Sequence, residues 1–124
     1  MECIAKQIVD LLELAGTCKA FGVSGGYIFP LWCALDNSPV IDIYHCRSEG
    51  GAAFAAMEFS LHNDALGVVF GTSGPGISNA FTALRTARAD GARLVFLSAI
   101  TGDDEECPRN IARNYSRLGH SLNR

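Results

Sequence analysis

Glu49 is the acid in this sequence whose surroundings best suit chemistry. It stands between an apolar, β-branched stretch at 40–44 and a stretch at 50–56 made almost wholly of glycine and alanine. A carboxylate at a strand-to-helix junction can simply stabilise the helix N-terminus, by about 0.3–1 kcal/mol. It can also work as an acid or a base. A stabilising charge does not explain the small residues that follow, which let a ligand or a partner element come close.

Two glycine-rich loops follow apolar runs in this sequence. Residues 21–26 read Phe-Gly-Val-Ser-Gly-Gly and residues 71–76 read Gly-Thr-Ser-Gly-Pro-Gly. A loop that leads from a strand into a helix offers backbone N–H groups to an anion or to the polar edge of a ring. Residues 71–76 lack the lysine of a P-loop, which excludes that motif, and lack the spacing of a dinucleotide-binding fingerprint. A tight turn that needs glycine for its geometry alone remains an equal alternative for this loop.

The cysteines and histidines do not indicate a metal site. The five cysteines and three histidines are widely scattered, no Cys-x-x-Cys occurs, and the number of cysteines is odd. This pattern favours reduced thiols, and hence a cytoplasmic protein, over a disulfide framework or a zinc site. The acidic run that begins at Gly102 is interpreted as a solvated loop. No metal is therefore assigned to this chain.

The elements that must position Glu49 alternate between strand and helix. Apolar periodicity predicts helices at 2–19, 27–35, 49–61 and 77–89, and strands at the start of 21–26 and at 40–44, 65–70 and 93–100. The continuously apolar runs at 65–70 and 93–100 indicate burial on both faces, as in parallel sheets. The sequence therefore predicts an α/β fold of three layers, in which helices cover both faces of a parallel sheet.

Length and composition favour one globular domain. The chain has 124 residues, of which 48% are hydrophobic and 19% charged, so it can bury a substantial core. Residues 1–101 are assigned to this domain, and residues 102–124 to a polar, weakly structured segment. The net charge of −3 argues against nucleic acid or an anionic membrane as a partner. We expect no signal peptide and no membrane span, which would need roughly 20 apolar residues.

Three motifs, in this order, resemble one family. They are Phe-Gly-Val-Ser-Gly-Gly at 21–26, Arg-Ser-Glu-Gly-Gly-Ala-Ala-Phe-Ala-Ala at 47–56 and Gly-Thr-Ser-Gly-Pro-Gly-Ile-Ser-Asn at 71–79. Together they are similar to the N-terminal, pyrimidine-binding (PYR) domain of thiamine-diphosphate enzymes of the acetolactate synthase type. The resemblance covers about residues 3–101 and implies thiamine diphosphate as the cofactor.

The resemblance implies roles for individual residues. The family's glutamate at the Glu49 position hydrogen-bonds N1′ of the cofactor's aminopyrimidine, which favours the imino tautomer that deprotonates the thiazolium carbon. Glu49 is therefore the expected catalytic residue. The implied cofactor-binding positions are Ser24, Gly25, Glu49, Pro75 and Asn79, and the implied positions near the substrate, by a looser analogy, are Gly26 and Phe29.

The sequence also departs from the family. Ser24 stands where the family often has proline, and Ser48 stands where it commonly has histidine, with His45 three residues earlier. The glycine-rich segment ending in Phe-Gln, which reaches the active site in many members, has no counterpart near Cys107. From the resemblance, we expect the last strand of the family's sheet to be missing from this chain.

The diphosphate-binding half of such an enzyme is absent from this sequence. The family holds Mg²⁺ and diphosphate with Gly-Asp-Gly and a distant asparagine in another domain, and the run Gly102-Asp103-Asp104 lacks the rest of that pattern. The resemblance therefore implies that a partner diphosphate-binding domain or subunit holds Mg²⁺, in a homo- or hetero-oligomer.

Three functions follow from these observations. The first is the pyrimidine-binding part of a 2-oxo acid decarboxylase or carboligase that is inactive without its partner domain. The second is a non-catalytic pairing or regulatory module of the same fold. The third, which rests only on residues 71–76, is a small nucleotide-binding domain.

Overall fold

The computed structural model describes residues 3–99, in which four helices and four strands alternate along the chain. The helices are α1 (Ile4–Leu14), α2 (Phe29–Asp36), α3 (Glu49–Asn63) and α4 (Pro75–Ala89), and the strands are β1 (Lys19–Gly22), β2 (Asp42–His45), β3 (Gly67–Gly71) and β4 (Leu94–Ser98). All neighbouring strands are parallel, in the order β2-β1-β3-β4. The predicted α/β fold is confirmed. The prediction of a missing last strand and the segment 102–124 lie outside the described residues.

Helices cover both faces of the sheet because alternate residues of β3 point to opposite sides. Val68 and Phe70 pack into a core that includes residues of α1 and α2. Val69, between them, packs into a second core that includes alanines of α3 and α4. Every residue of β3 is buried, as the continuously apolar run predicted.

The strand order places a crevice beside Glu49. The chain moves from β1 outward to β2, and then crosses back to place β3 on the other side of β1. In such a sheet the connections after the two central strands leave in opposite directions, and ligands bind in the crevice between them. Both glycine-rich stretches lie at this point, because residues 21–26 begin in the last two residues of β1 and residues 71–76 begin at the last residue of β3.

The first helix is shorter than its apolar spacing predicted. It ends at Leu14, and Gly16 adopts a left-handed backbone with φ of 80°. The N–H of Thr17 then donates to the carbonyl of Leu12, which closes the helix. Strand β1 consequently begins at Lys19, before the predicted start.

The two outer strands of the described sheet are more exposed than the sequence suggested. Every residue of β4 is half-buried, although the apolar run at 93–100 predicted a strand buried on both faces. Strand β2 is mostly exposed, and it begins at Asp42 because the Ser38 hydroxyl accepts hydrogen bonds from the N–H groups of Val40 and Ile41. Within residues 3–99, no helix has the length and apolar character needed to cross a membrane.

Candidate functional site

Glu49 is the first residue of α3 and is almost completely buried, with 6% of its surface exposed. The preceding Ser48 has an extended backbone, and its hydroxyl accepts a hydrogen bond of 3.1 Å from the N–H of Gly51. Ser48 is thus the N-cap of α3. Since the serine caps the helix, the cap alone does not explain why an acid follows it.

The Glu49 carboxylate lies between the two elements that follow β3. The Thr72 hydroxyl donates to Oε1 at 3.3 Å, and the Asn79 side-chain amide donates to Oε2 at 3.4 Å. Between residues 3 and 99 this carboxylate has no salt bridge. An ionised carboxylate can accept about four hydrogen bonds, and both of these are long. The buried acid can therefore accept a further donor, or share a proton with a ligand.

Two glycines let the loop after β3 close around the acid. A Cβ on Gly76 would stand 2.7 Å from Glu49 Oε1 and 3.0 Å from Thr72 Oγ1. A Cβ on Gly71 would stand 2.8 Å from Glu49 Cγ. These separations are too short for any larger residue, so the glycines are needed for close approach. We call Glu49, Gly71, Thr72, Gly76 and Asn79 the acid pocket.

The residues predicted to bind a cofactor only partly come together. Asn79 contacts Glu49 directly, whereas Pro75 is an exposed residue at the first position of α4. Gly25 borders the acid pocket, because a Cβ there would stand 2.1 Å from Thr72 Cγ2. Ser24 is exposed and lies with Gly25 in a neighbouring cleft.

That cleft contains the predicted substrate-side residues. Its volume is about 540 Å³, and it is lined by Ser24, Gly25, Gly26, Phe29 and Trp32. Gly26 and Phe29, the two residues predicted near the substrate, therefore line one cleft. It lies next to the acid pocket and does not include the Glu49 carboxylate. We call it the aromatic cleft.

Sequence reasoning overlooked Thr72, Gly76 and Trp32. Thr72 is the first residue after a buried strand, and this position alone marks a polar side chain at the carboxyl end of the sheet. The sequence identifies Gly76 only as the last residue of the glycine-rich loop at 71–76, with no role of its own. Trp32 matched an ordinary helical core position, and nothing in the sequence separates it from Leu31 or Leu35, which are buried.

The small residues of α3 pack within this chain. Ala52, Ala53 and Ala56 are fully buried in the core that α4 also enters, and a Cβ on Gly50 would stand 2.8 Å from the Asn79 carbonyl oxygen. The close approach that these small residues permit is therefore used by α4 and the sheet, whereas Gly51 remains exposed. On α3, the large apolar side chains that remain exposed are Phe54 and Leu61.

Other reactive groups near Glu49 do not form a second reaction centre. Burial raises the pKa of the Cys46 thiol, opposed by a smaller effect of a backbone hydrogen bond with Gly22, so this cysteine is not activated as a thiolate. In the part of the chain that the structure describes, no three His, Cys, Asp or Glu side chains are grouped to hold a metal ion. The chemical group that the arrangement offers is the buried Glu49 carboxylate.

Comparison with known proteins finds relatives among the acetolactate synthases. The chain is 39% identical over 104 residues to acetolactate synthase 2, chloroplastic, of Zea mays, and the match covers 84% of the chain and 15% of that protein. It is 39% identical over 98 residues to the acetolactate synthase isozyme 2 large subunit of Escherichia coli K12, covering 79% and 17%. It is 37% identical over 94 residues to a probable acetolactate synthase large subunit of Methanocaldococcus jannaschii, covering 76% and 16%. The chain thus matches about a sixth of the length of these relatives.

A family comparison agrees with these relatives. Residues 3–117 match the family described as thiamine pyrophosphate enzyme, N-terminal TPP binding domain, where thiamine pyrophosphate is another name for thiamine diphosphate. The match includes the acid pocket, the aromatic cleft and all four strands of the described sheet. The chain therefore belongs to the thiamine pyrophosphate enzyme family, in which it corresponds to the N-terminal TPP-binding domain.

Proposed function

We propose that this chain is the pyrimidine-binding part of a thiamine-diphosphate-dependent 2-oxo acid decarboxylase or carboligase of the acetolactate synthase type. The observation that carries the proposal is the buried Glu49 carboxylate, which has hydrogen-bonding capacity left and lies at the crevice of the sheet. A buried carboxylate without a salt bridge in the described chain costs stability, so a function is its best explanation.

The remaining hydrogen-bonding capacity of Glu49 suits the polar edge of an aminopyrimidine ring. The Glu49 carboxyl group would share a proton with a ring nitrogen, and Gly25, Pro75 and Asn79 would line the ring. Ser24, at the exposed end of the loop after β1, would lie at the entrance. When bound, thiamine diphosphate supplies the nucleophilic carbon that attacks the keto group of a 2-oxo acid.

Thr72 and Asn79 would prepare the acid for this role. Each donates to a different carboxylate oxygen, and together they fix the plane of the carboxyl group. Gly71 and Gly76 bring the loop against the acid. A preorganised, buried carboxyl group needs little rearrangement when it gives or takes a proton.

The diphosphate and Mg²⁺ would be bound elsewhere. We infer that a second domain or subunit holds both, and that the cofactor lies between it and this chain, in a homo- or hetero-oligomer. The match of this chain to about a sixth of each acetolactate synthase supports this inference, because the remainder of those relatives can contain such a domain. On this proposal the chain alone does not turn over substrate.

A non-catalytic pairing or regulatory module of the same fold is the second candidate. Ser24, in place of the family's proline, favours it. The other replacement that favoured it, Ser48, has a structural explanation as the N-cap of α3. The catalytic proposal therefore accounts for more of the site.

Reconstitution tests the proposal. The chain is mixed with a thiamine-diphosphate enzyme domain that carries the Gly-Asp-Gly motif. Calorimetry measures binding of thiamine diphosphate in the presence of Mg²⁺, and turnover is measured as consumption of pyruvate and, separately, of benzoylformate and phenylpyruvate. Glu49→Gln should lower turnover by about 100-fold or more, since proton transfer by a positioned group contributes about 10²–10⁴-fold. Glu58→Gln, an exposed acid on the same helix, is the matched control. Unchanged turnover with Glu49→Gln would contradict the role of Glu49, and binding without turnover in any mixture would favour the non-catalytic module.

A further inference from the structure

The aromatic cleft has features that the role of Glu49 does not use. Phe29 is 52% exposed although it is a large apolar residue, and it lines the cleft together with Trp32. We propose that Phe29 and Trp32, with His45 holding the indole in place, bind a planar aromatic group. The inference rests on the proposed function, and it specifies the substrate as a 2-oxo acid with an aryl side group.

The rings form an inclined surface at the edge of a core, because Trp32 is partly buried against the core of α1 and α2 while Phe29 is exposed. The centroids of Phe29 and Trp32 are 5.4 Å apart, with their planes at 30°, and those of Trp32 and His45 are 5.6 Å apart, with their planes at 55°. Aromatic pairs attract at these separations in offset or tilted arrangements. A further planar ring placed in the cleft gains the same contacts.

His45 holds Trp32 in this arrangement. The indole N–H of Trp32 donates to Nε2 of His45 at 3.4 Å, and this contact joins α2 to the end of β2. The accepting Nε2 carries no proton, so a neutral His45 ring carries its proton on Nδ1. His45 is thus a positioning residue for the indole, and the ligand contacts are made by Phe29 and Trp32.

The floor of the cleft is open at one glycine. A Cβ built on Gly26 meets no atom within 4 Å, whereas a Cβ on the adjacent Gly25 would meet Thr72 at 2.1 Å. The space above Gly26 is therefore available to a ligand. The cleft volume of about 540 Å³ lies within the roughly 300–1,000 Å³ range of small-molecule sites, and a short alkyl group would leave most of it empty.

Position relative to the acid pocket makes this cleft a substrate site. Gly25 contributes to the cleft and also borders Thr72, which donates to Glu49. A molecule on the aromatic surface therefore lies next to any ring that the acid pocket holds. Its aryl group would occupy the cleft, and its keto acid end would extend toward the cofactor.

The single tryptophan gives a direct test. The ¹⁵N-labelled 124-residue chain has one indole N–H signal, from Trp32, and this signal is followed by NMR during titration. We expect benzoylformate and phenylpyruvate to shift it saturably, with half-saturation at least about tenfold lower than for pyruvate. Equal response to pyruvate, or no response to either aryl acid, would overturn the proposal. A saturable shift with thiamine diphosphate but not with the aryl acids would assign the cleft to the cofactor and overturn it as well.

Variants locate the ligand. Gly26→Ala adds a methyl group to the open floor, and Phe29→Leu removes one ring. Each should weaken aryl-acid binding by about threefold to tenfold, Gly26→Ala because its methyl group occupies ligand space and Phe29→Leu because an aromatic contact is lost. Phe54→Leu, on the exposed side of α3, is the matched control and should leave the titration unchanged. Aryl binding that is unchanged in both cleft variants, with folding verified by circular dichroism, would place the ligand elsewhere.

The role of His45 has its own readout. His45→Leu should move the indole N–H signal of the free protein toward that of an unbonded indole, whereas His45→Gln, which keeps an acceptor, should restore much of the shift. An indole signal that is the same in wild type and His45→Leu would contradict the positioning role.

Failure of the proposed function and failure of this inference are distinguishable. Loss of thiamine diphosphate binding in reconstitution does not affect aryl-acid binding to the chain alone.

Discussion

The acid pocket and the aromatic cleft are neighbours with opposite construction. Glu49 is 6% exposed and enclosed by small residues, whereas Phe29 is 52% exposed beside an open floor at Gly26. Around the acid, Gly71 and Gly76 leave no room for a larger side chain, whereas the cleft has open space at Gly26. Gly25 lies between them, since it lines the cleft and borders Thr72.

On the proposed function, this difference separates the acid pocket, whose proton-sharing role does not depend on the substrate, from the aromatic cleft, which can vary with the substrate. A group that shares a proton must be held at a fixed distance in a dry environment, which demands tight packing around it. A surface that binds a side group needs only complementary shape and aromatic faces. We therefore expect substitutions in the acid pocket to affect stability and substitutions in the cleft to affect ligand choice.

Gly76→Ala should give the largest loss of stability among the following variants. Alanine favours a helix over glycine by roughly 0.5–1 kcal/mol, but its methyl group would stand 2.7 Å from Glu49 Oε1 in a buried site. Overpacking of this kind costs about 1–3 kcal/mol, so a net decrease is expected. Urea unfolding measures the free energy, and an increase in stability would mean that the acid pocket has spare room.

Thr72→Val should destabilise the chain by about 1 kcal/mol, because it removes a hydrogen-bond donor to a buried carboxylate while preserving shape. Urea unfolding measures this change. The control is Thr86→Val on α4, because the Thr86 hydroxyl donates to the Thr82 carbonyl in an exposed hydrogen bond. The loss at Thr72 should be accompanied by weaker thiamine diphosphate binding in the reconstituted mixture. A loss of stability alone would make Thr72 a structural residue.

Ser48→Ala should cost about 1 kcal/mol through loss of the α3 N-cap. Ser48→Asp retains an acceptor for the Gly51 N–H and should recover most of that loss. The free energy of unfolding of both variants is compared with that of the wild type. If both lose equally, the serine has a role other than capping.

Gly26→Ala should have the smallest effect on stability, within about 0.5 kcal/mol, because surface changes without new contacts rarely exceed this value. Its methyl group meets no atom within 4 Å. Gly25→Ala is the paired variant, and the contact with Thr72 should make it clearly less stable. Similar unfolding free energies for the two variants would remove the distinction between the acid pocket and the cleft.

The sequence predicted the fold well where local rules and tertiary packing agree. The buried run of β3 and the start of α3 at Glu49 follow from an apolar stretch and a serine that caps the helix. Boundaries were less accurate where a single backbone position decides them. Helix α1 ends at Leu14, five residues before the predicted end at residue 19, because Gly16 adopts a left-handed backbone.

Sequence alone also determined the family, and it singled out Glu49 as the expected catalytic acid. The three motifs placed Glu49 between two glycine loops, because motif order and residue type are local properties of the chain. Only the tertiary structure decided the partners of that acid, since Thr72 and Asn79 lie 23 and 30 residues away along the chain. It also brought Trp32 to His45 across the ends of two elements, a contact that no periodicity encodes. Contacts between distant segments depend on strand order and register, and these are set by how the whole chain buries its apolar surface.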